Sequence, residues 1–197
     1  MDRNQLKELL LQSLEHEMGG VKVYEEALEC AVNEELHEEW EKYHEQTVRH
    51  VTIMEEVCAA FGIDPKENSP SRRIVHKLGT SLVEAMQDAR KAGDPAAAQL
   101  TACECVVLAE TKDHLDWDLI GEAAKKLGGK EAKALKAAHD EVQEQENEHL
   151  YHTRGWCREL WLESLGMKAV LPPPEERRHV KTAIGAARAE HARGQMR

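Results

Sequence analysis

The sequence predicts an all-α protein built around an antiparallel four-helix bundle. Four long segments carry apolar residues at helical spacing, and Gly and Pro mark the breaks between them. Ala, Leu, Glu and Lys, which favour helices, are abundant, whereas aromatic residues make up only 4% of the chain. Because the breaks within each half are short, the four segments form two helix hairpins joined by a longer crossover.

The first hairpin is predicted from its apolar periodicity and from the residues that interrupt it. Helix one runs from about Asp2 to Ala31, and helix two runs from about Glu35 to Phe61. A polar break at Asn33 separates them. The segment Gly62–Pro65 ends helix two, since Gly and Pro after a periodic run are helix stop signals.

The second hairpin follows a shorter crossover helix, which is predicted from about Ser71 to Lys91. Helix three runs from Pro95 to Lys126. Asp94 is its expected N-cap, and Pro suits the first helical position because no N–H is needed there. After a turn at Gly128-Gly129, helix four runs from about Lys130 to Leu165.

Composition and charge exclude several classes of protein. The net charge of -11 makes nucleic acid an unsuitable partner for the body of the protein. No apolar run approaches the roughly 20 residues that span a bilayer, and the acidic N-terminus does not resemble a signal peptide. The five cysteines include no Cys-x-x-Cys pair, which argues for reduced thiols rather than a zinc ribbon. We therefore expect a cytoplasmic protein.

The chain divides into a bundle over residues 1–168 and a Pro-rich linker with a basic tail over residues 169–197. Pro172-Pro173-Pro174 is expected to form a stiff, extended linker. From Arg177 onward, basic residues are frequent and Glu190 is the single acid. Two interpretations of the tail remain at this point: a weak helix that docks on an acidic face, or a solvated segment.

Polar residues interrupt the apolar faces of helices one and three at matching positions. Glu17 and Tyr24 lie on the apolar face of helix one, and Glu110 and Trp117 lie on that of helix three, with the same seven-residue spacing. A carboxylate that faces a core must be paired, protonated or bound to a cation. Each acid could instead be partly solvated at an edge of the bundle. Taken together, the two acids predict a shared ion.

The other two long helices add imidazoles to this pattern. Helix four carries Glu146 and His149 one turn apart on its apolar face, and helix two carries His50. Helical di-metal proteins use one Glu from each of two helices and Glu-x-x-His from each of the other two. Thr47 stands where the second motif would have its Glu. Carboxylates with imidazoles suit iron or manganese, with zinc as an alternative.

The positions of the turns predict that these side chains lie at one level of the bundle. Glu17 and His50 flank the break at Asn33 almost symmetrically. Glu110 and Glu146 flank the turn between helices three and four in the same way. Because residues equidistant from the turn of an antiparallel hairpin lie side by side, both hairpins bring their candidate ligands together.

Further polar side chains are predicted near the same level. His114, one turn after Glu110, is a candidate extra ligand that would offset the missing carboxylate at Thr47, and otherwise a hydrogen-bonded core histidine. Gly19-Gly20 lies two and three residues after Glu17, within predicted helix one, which indicates either a kink or a close backbone approach. Residues expected to surround the ligands without binding metal are Tyr24, Thr47, Trp117, Gln46 and His44.

Several segments resemble the YciF-like branch of the ferritin-like superfamily. They are HEQTVRHVTIMEEVCAAFG (His44–Gly62), the GIDP that overlaps its end, Gly93-Asp94-Pro95 and the repeated Glu-x6-aromatic spacing. The resemblance extends from about Leu6 to Trp156 and leaves out the tail beyond Leu171. It implies a ferritin-like four-helix fold, often dimeric, in bacterial cytoplasmic proteins linked to stress. It also implies metal ligation by Glu17, His50, Glu110, Glu146 and His149.

Three functions are consistent with this sequence. The first is a di-metal, most simply di-iron, carboxylate protein that reacts with oxygen or peroxide in iron handling or oxidative-stress protection. The second is a non-catalytic module that binds iron, manganese or zinc, and the third is a structural stress protein that kept the bundle and part of the site. We expect metal ions and a small oxidant as partners, no nucleic acid or membrane, and a homo-oligomer of at least two copies.

Overall fold

The computed structural model describes residues 1–197 and contains helices but no strands. Its elements are α1 (Arg3–Cys30), α2 (Glu34–Phe61), α3 (Pro70–Lys91), α4 (Pro95–Lys126), α5 (Gly129–Ser164), α6 (Pro174–Arg177) and α7 (Ala183–Met196). The all-α prediction is confirmed, and the bounds predicted for the five longer helices agree with the structure to within about a residue. No helix is both long enough and apolar enough to cross a membrane.

Side chains at the helix ends explain these boundaries. Asp2 and Asn33 accept hydrogen bonds from backbone N–H groups in the first turns of α1 and α2. Asp94 does the same for α4, with Pro95 at the first helical position, as predicted. Gly62 ends α2 in the left-handed conformation, with a φ of 66°, which costs glycine little.

The four long helices form a bundle in which each packs against two others. α1 contacts α2 and α4, and α5 contacts the same two helices. α3 lies outside this group and covers α1 and α4. Only two of its side chains, Val75 and Met86, are fully buried, as expected of a helix that packs on the bundle surface.

Two apolar clusters occupy the bundle on either side of a polar middle. One contains Trp40 and Trp156, and the other contains Leu10, Ile120 and Leu135. All five side chains are fully buried. The apolar clusters supply the burial that stabilises the helix packing, while the level between them is left to charged and imidazole groups.

The glycine pair in α1 serves close packing rather than a kink. α1 is continuous through Gly19 and Gly20. A Cβ at Gly20 would lie 3.2 Å from Thr47 Cγ2, so a side chain there would press on α2. A Cβ at Gly79 of α3 would lie 3.8 Å from Gly19 Cα, where α3 crosses α1 closely.

The C-terminal segment is docked on α5 rather than solvated. Pro172-Pro173-Pro174 is buried, so the linker lies against the protein instead of extending from it. Arg193 of α7 is 1% exposed, with its Nε 3.0 Å from Glu159 Oε1 of α5. Its guanidinium also contacts Glu175 of α6. The basic tail therefore attaches through a buried cation between two buried acids, and Arg197 adds a second contact to Glu159.

We predict that Arg193→Ala releases α7 while the bundle stays folded. The substitution leaves Glu175 buried without a cation and leaves Glu159 with Arg197 as its only basic partner, and breaking a buried pair in this way costs about 3–5 kcal/mol. Amide exchange over residues 183–196 should accelerate by about 100-fold, which corresponds to about 3 kcal/mol. Arg188→Ala, at an exposed position of the same helix, is the control. Unchanged protection of α7 in the Arg193 variant would contradict this account.

Candidate metal centre

Five side chains from four helices meet in the polar middle of the bundle. They are Glu17 of α1, His50 of α2, Glu110 of α4, and Glu146 and His149 of α5, each at most 4% exposed. Ligand atoms of Glu17, His50 and Glu146 lie within 4.8 Å of one another. The same holds for Glu110, Glu146 and His149. Glu146 therefore belongs to both groups, and all five residues lie where the sequence predicted.

Glu146 lies between the two imidazoles. Its Oε1 is 3.2 Å from His50 Nδ1 and 3.4 Å from His149 Nδ1. On the outer sides, His50 Nδ1 is 3.5 Å from Glu17 Oε2, and His149 Nδ1 is 3.5 Å from Glu110 Oε2. These atoms face one another, but they form no hydrogen bonds with one another.

The atoms that face this shared space have no hydrogen-bond partner. They are Glu17 Oε2, His50 Nδ1, Glu110 Oε2, both carboxylate oxygens of Glu146 and His149 Nδ1. A buried polar atom without a partner costs about 1–3 kcal/mol, and more if it is charged. Oxygen and imidazole nitrogen are the donors that iron, manganese and zinc accept. The group can therefore hold a metal ion, which would satisfy these atoms.

Other buried acids in this protein are treated differently. With the exception of Asp113, every buried carboxylate outside the group contacts a basic side chain. The pairs are Glu15 with Arg72, Asp116 with Lys112, Glu148 with Lys42, and Glu159 and Glu175 with Arg193. For Glu17, Glu110 and Glu146 the two imidazoles are the only basic groups in contact. The fold thus balances other buried acids with Lys or Arg, whereas this group has no such partner and could hold an ion instead.

The outer oxygens of the two flanking acids are held by aromatic donors. Tyr24 of α1 donates to Glu110 Oε1 of α4 at 2.7 Å, and Trp117 Nε1 of α4 donates to Glu17 Oε1 of α1 at 2.7 Å. Each aromatic residue follows one of the acids by two helical turns and reaches across to the other. The exchange fixes both carboxylates with their second oxygen directed inward.

The imidazoles are oriented by an equivalent exchange between α2 and α5. His50 Nε2 lies 2.8 Å from Gln145 Oε1, and His149 Nε2 lies 2.8 Å from Gln46 Oε1. An amide oxygen only accepts, so each Nε2 carries the proton and donates it. With Nε2 donating outward, each Nδ1 faces the carboxylates and is the nitrogen that can offer its lone pair to a metal ion.

The two halves of the site are related by an approximate two-fold repeat. Glu17 and Tyr24 of α1 correspond to Glu110 and Trp117 of α4 in type and spacing. Gln46 and His50 of α2 correspond in the same way to Gln145 and His149 of α5. The exception is Thr47, which corresponds to Glu146. Its hydroxyl donates to Tyr43 O of its own helix at 2.9 Å and so is not directed at the group.

Burial makes charge on the group unfavourable when no cation is bound. It raises the pKa of Glu110 to about 7, and with the help of the Glu110 charge it also raises the pKa of Glu146. Burial lowers the pKa of His149 to about 4. Burial alone would lower the pKa of His50 as well. The charges on Glu17 and Glu146 outweigh this effect, so the pKa of His50 is raised. A divalent cation favours ionised carboxylates and neutral imidazoles.

Two of the residues predicted near the site lie away from its centre. His114 is not brought into the group, because its Nε2 lies 2.8 Å from Asn147 Oδ1 and its Nδ1 lies 3.5 Å from Asp118 Oδ2. Its side chain is 21% exposed. His44 lies away from the group, with its Nε2 buried and 3.9 Å from Glu25 Oε1. Neither imidazole contacts the five converging side chains.

Two residues that the sequence analysis did not single out belong to this region. Gln145 precedes His149 by the same four residues that separate Gln46 from His50, and this repeat was the available signal. Asp113 is buried on α4 one turn after Glu110. Its position on the inward face was the signal for it.

Comparison of the chain with protein-family models, with curated proteins and with solved structures gives no match.

We predict that the two glutamines tune metal affinity through the imidazoles. Gln145→Leu removes the acceptor of His50 Nε2, so the ring is free to take the wrong tautomer, and the affinity for Mn²⁺ should fall about 10–100-fold. Gln46→Leu should act equally through His149. Gln143→Leu, at an exposed position of the same helix as Gln145, is the control in calorimetric titrations. Equal affinities for the Gln145 and Gln143 variants would contradict the assigned role.

Proposed function

We propose that this chain is a ferritin-like di-metal carboxylate protein that binds two ferrous ions and reacts with dioxygen or hydrogen peroxide. The observation that carries the proposal is the position of Glu146, which belongs to two groups that each contain one further Glu and one His. One carboxylate shared by two sets of ligands is the arrangement expected of a pair of metal ions.

The helix arrangement supports the ferritin-like part of the proposal. Contacts across the bundle pair Glu17 with Trp117 and Tyr24 with Glu110, so α1 and α4 run antiparallel. α2 and α5 also run antiparallel, as shown by the exchange of glutamine and histidine contacts between them. Two hairpins packed in this way, with a long crossover through α3, agree with the resemblance to the YciF-like branch. The expected oligomer and stress-related setting rest on that resemblance alone.

The ligand set suits ions that change charge during a reaction. Each group offers one imidazole, one terminal carboxylate and a share of Glu146, which leaves coordination positions for water or an oxidant. Bound ferrous iron would supply the electrons that reduce the oxidant. Glu17, Glu110 and Glu146 would stabilise the more highly charged ferric state. The apolar clusters at both ends of the site limit the access of water.

A second candidate function is metal binding without turnover. It is favoured by Thr47, which occupies the position of a second shared carboxylate and bonds to its own helix instead. With fewer shared ligands, the second ion would be held less tightly. Such a protein would buffer or sense iron, manganese or zinc. The oxidant distinguishes the two functions, because only the first predicts a change in the metal when oxidant is added.

Anaerobic addition of Fe²⁺ followed by air tests the proposal. We expect two ions per chain and a new charge-transfer absorption after exposure to air. Glu146→Ala should lose both ions. Oxidation should slow by more than about 100-fold, because substitution of a residue that only supports a metal ligand already costs up to about 100-fold. Glu163→Ala, at an exposed position of the same helix, is the control. Two bound ions with no response to oxidant would favour the second candidate, and no binding would refute both.

A further inference from the structure

The candidate centre has one carboxylate fewer than two divalent ions require. Helical di-metal sites of this kind use four carboxylates and two imidazoles, and the four negative charges balance two divalent cations. The five converging residues supply three carboxylates, from Glu17, Glu110 and Glu146. Thr47 corresponds to the missing one. Two ions in this set would leave a net positive charge in a buried site, which is costly.

Asp113 of α4 is a buried carboxylate that nothing in the protein pairs. It is 4% exposed, its Oδ1 has no hydrogen-bond partner, and no Lys, Arg or His contacts it. Asp116, one turn further along α4 and 1% exposed, contacts Lys112 and accepts a hydrogen bond from Gln12. Asp113 therefore lacks the pairing that makes an ordinary buried acid tolerable here.

The helix places Asp113 on the face that lines the centre. It lies three residues after Glu110 and four residues before Trp117, so the three side chains are stacked along one face of α4. Glu110 and Trp117 both make contacts inside the centre, to Tyr24 and Glu17 respectively. Besides burial, the charges of Glu17, Glu146 and Glu110 raise the pKa of Asp113 well above its usual range, as expected of a neighbour.

The repeat that relates the two halves of the site shows why the carboxylate is at this position. Asp113 corresponds to Gly20 of α1, because each lies three residues after its Glu. A Cβ at Gly20 would lie 3.2 Å from Thr47 Cγ2, so these two positions pack against each other. In the repeat, Gly20 corresponds to Asp113 and Thr47 corresponds to Glu146. One half of the site thus holds Gly and Thr at these two positions, and the other half holds Asp and Glu.

We propose that Asp113 is the fourth carboxylate of the centre and replaces, from α4, the one that Thr47 does not supply. This inference rests on the proposed function, because it requires metal ions at the five converging residues. With Asp113 ionised, four carboxylates balance two divalent cations, and both imidazoles bind as neutral ligands. Asp113 ligates the second ion directly or through a bound water molecule, and in either case it provides the charge that retains that ion.

Equilibrium dialysis of the full chain against Mn²⁺, with elemental analysis, tests the proposal. Wild type should bind two ions. Asp113→Asn keeps the shape of the side chain and removes its charge, so it should retain one ion and bind the second at least about tenfold more weakly. Asp118→Asn, at an exposed position on the same helix, should match wild type. Circular dichroism and melting temperature establish that each variant is folded.

The melting temperature of the metal-free protein gives a second, independent readout. Removing an unpaired buried carboxylate should raise the melting temperature of metal-free Asp113→Asn above that of metal-free wild type. Saturating Mn²⁺ should reverse the order, because it stabilises wild type through two ions and the variant through one. A purely structural Asp113 predicts the opposite result: a lower melting temperature for the metal-free variant and an unchanged response to Mn²⁺.

Restoring a carboxylate on α2 tests the argument from charge. Thr47→Glu combined with Asp113→Asn should regain the second ion, and no gain would contradict the argument. If wild type binds two ions and Asp113→Asn binds two with equal affinity, the role of Asp113 is overturned while the proposed function stands. If wild type binds no metal, the proposed function fails first and this inference falls with it.

Discussion

The structure depends on a small group of carboxylates and imidazoles that meet in the buried middle of the bundle, where no Lys or Arg balances the acids. Glu17, Glu110 and Glu146 have no Lys or Arg near them, whereas most other buried acids of the chain do. Their inward atoms make no hydrogen bonds. The apolar clusters above and below must therefore stabilise a fold whose centre opposes it. A cation at the centre removes this conflict, because it satisfies the same atoms that destabilise the metal-free protein.

The surrounding contacts hold that arrangement in place. The aromatic donors and the amide acceptors act across pairs of helices, so each half of the bundle orients the ligands of the other. This reciprocity makes the site a property of the assembled bundle rather than of either hairpin. The repeat is broken where Thr47 corresponds to Glu146 and Gly20 corresponds to Asp113. The site is therefore asymmetric, and the two ions that we propose for it would differ in affinity.

Much of the fold and the five converging residues were predictable because helical periodicity and the positions of the turns determine both. The sequence did not predict which of Asp113 and His114 faces the centre. These residues follow Glu110 by three and four positions, and both lie near the same face of α4. Only packing against α5, where His114 meets Asn147, separates them. The docking of the tail was equally hidden, since Arg193 meets Glu159 only after the chain has folded back.

Anomalous diffraction from crystals of the full chain grown with Mn²⁺ tests the central claim most directly. The account predicts two anomalous peaks inside the bundle, one between Glu17 and His50 and one between Glu110 and His149, with Glu146 contacting both ions. Peaks confined to acidic residues on the surface would contradict it. So would an empty centre in which ordered water or rotated side chains satisfy the carboxylates.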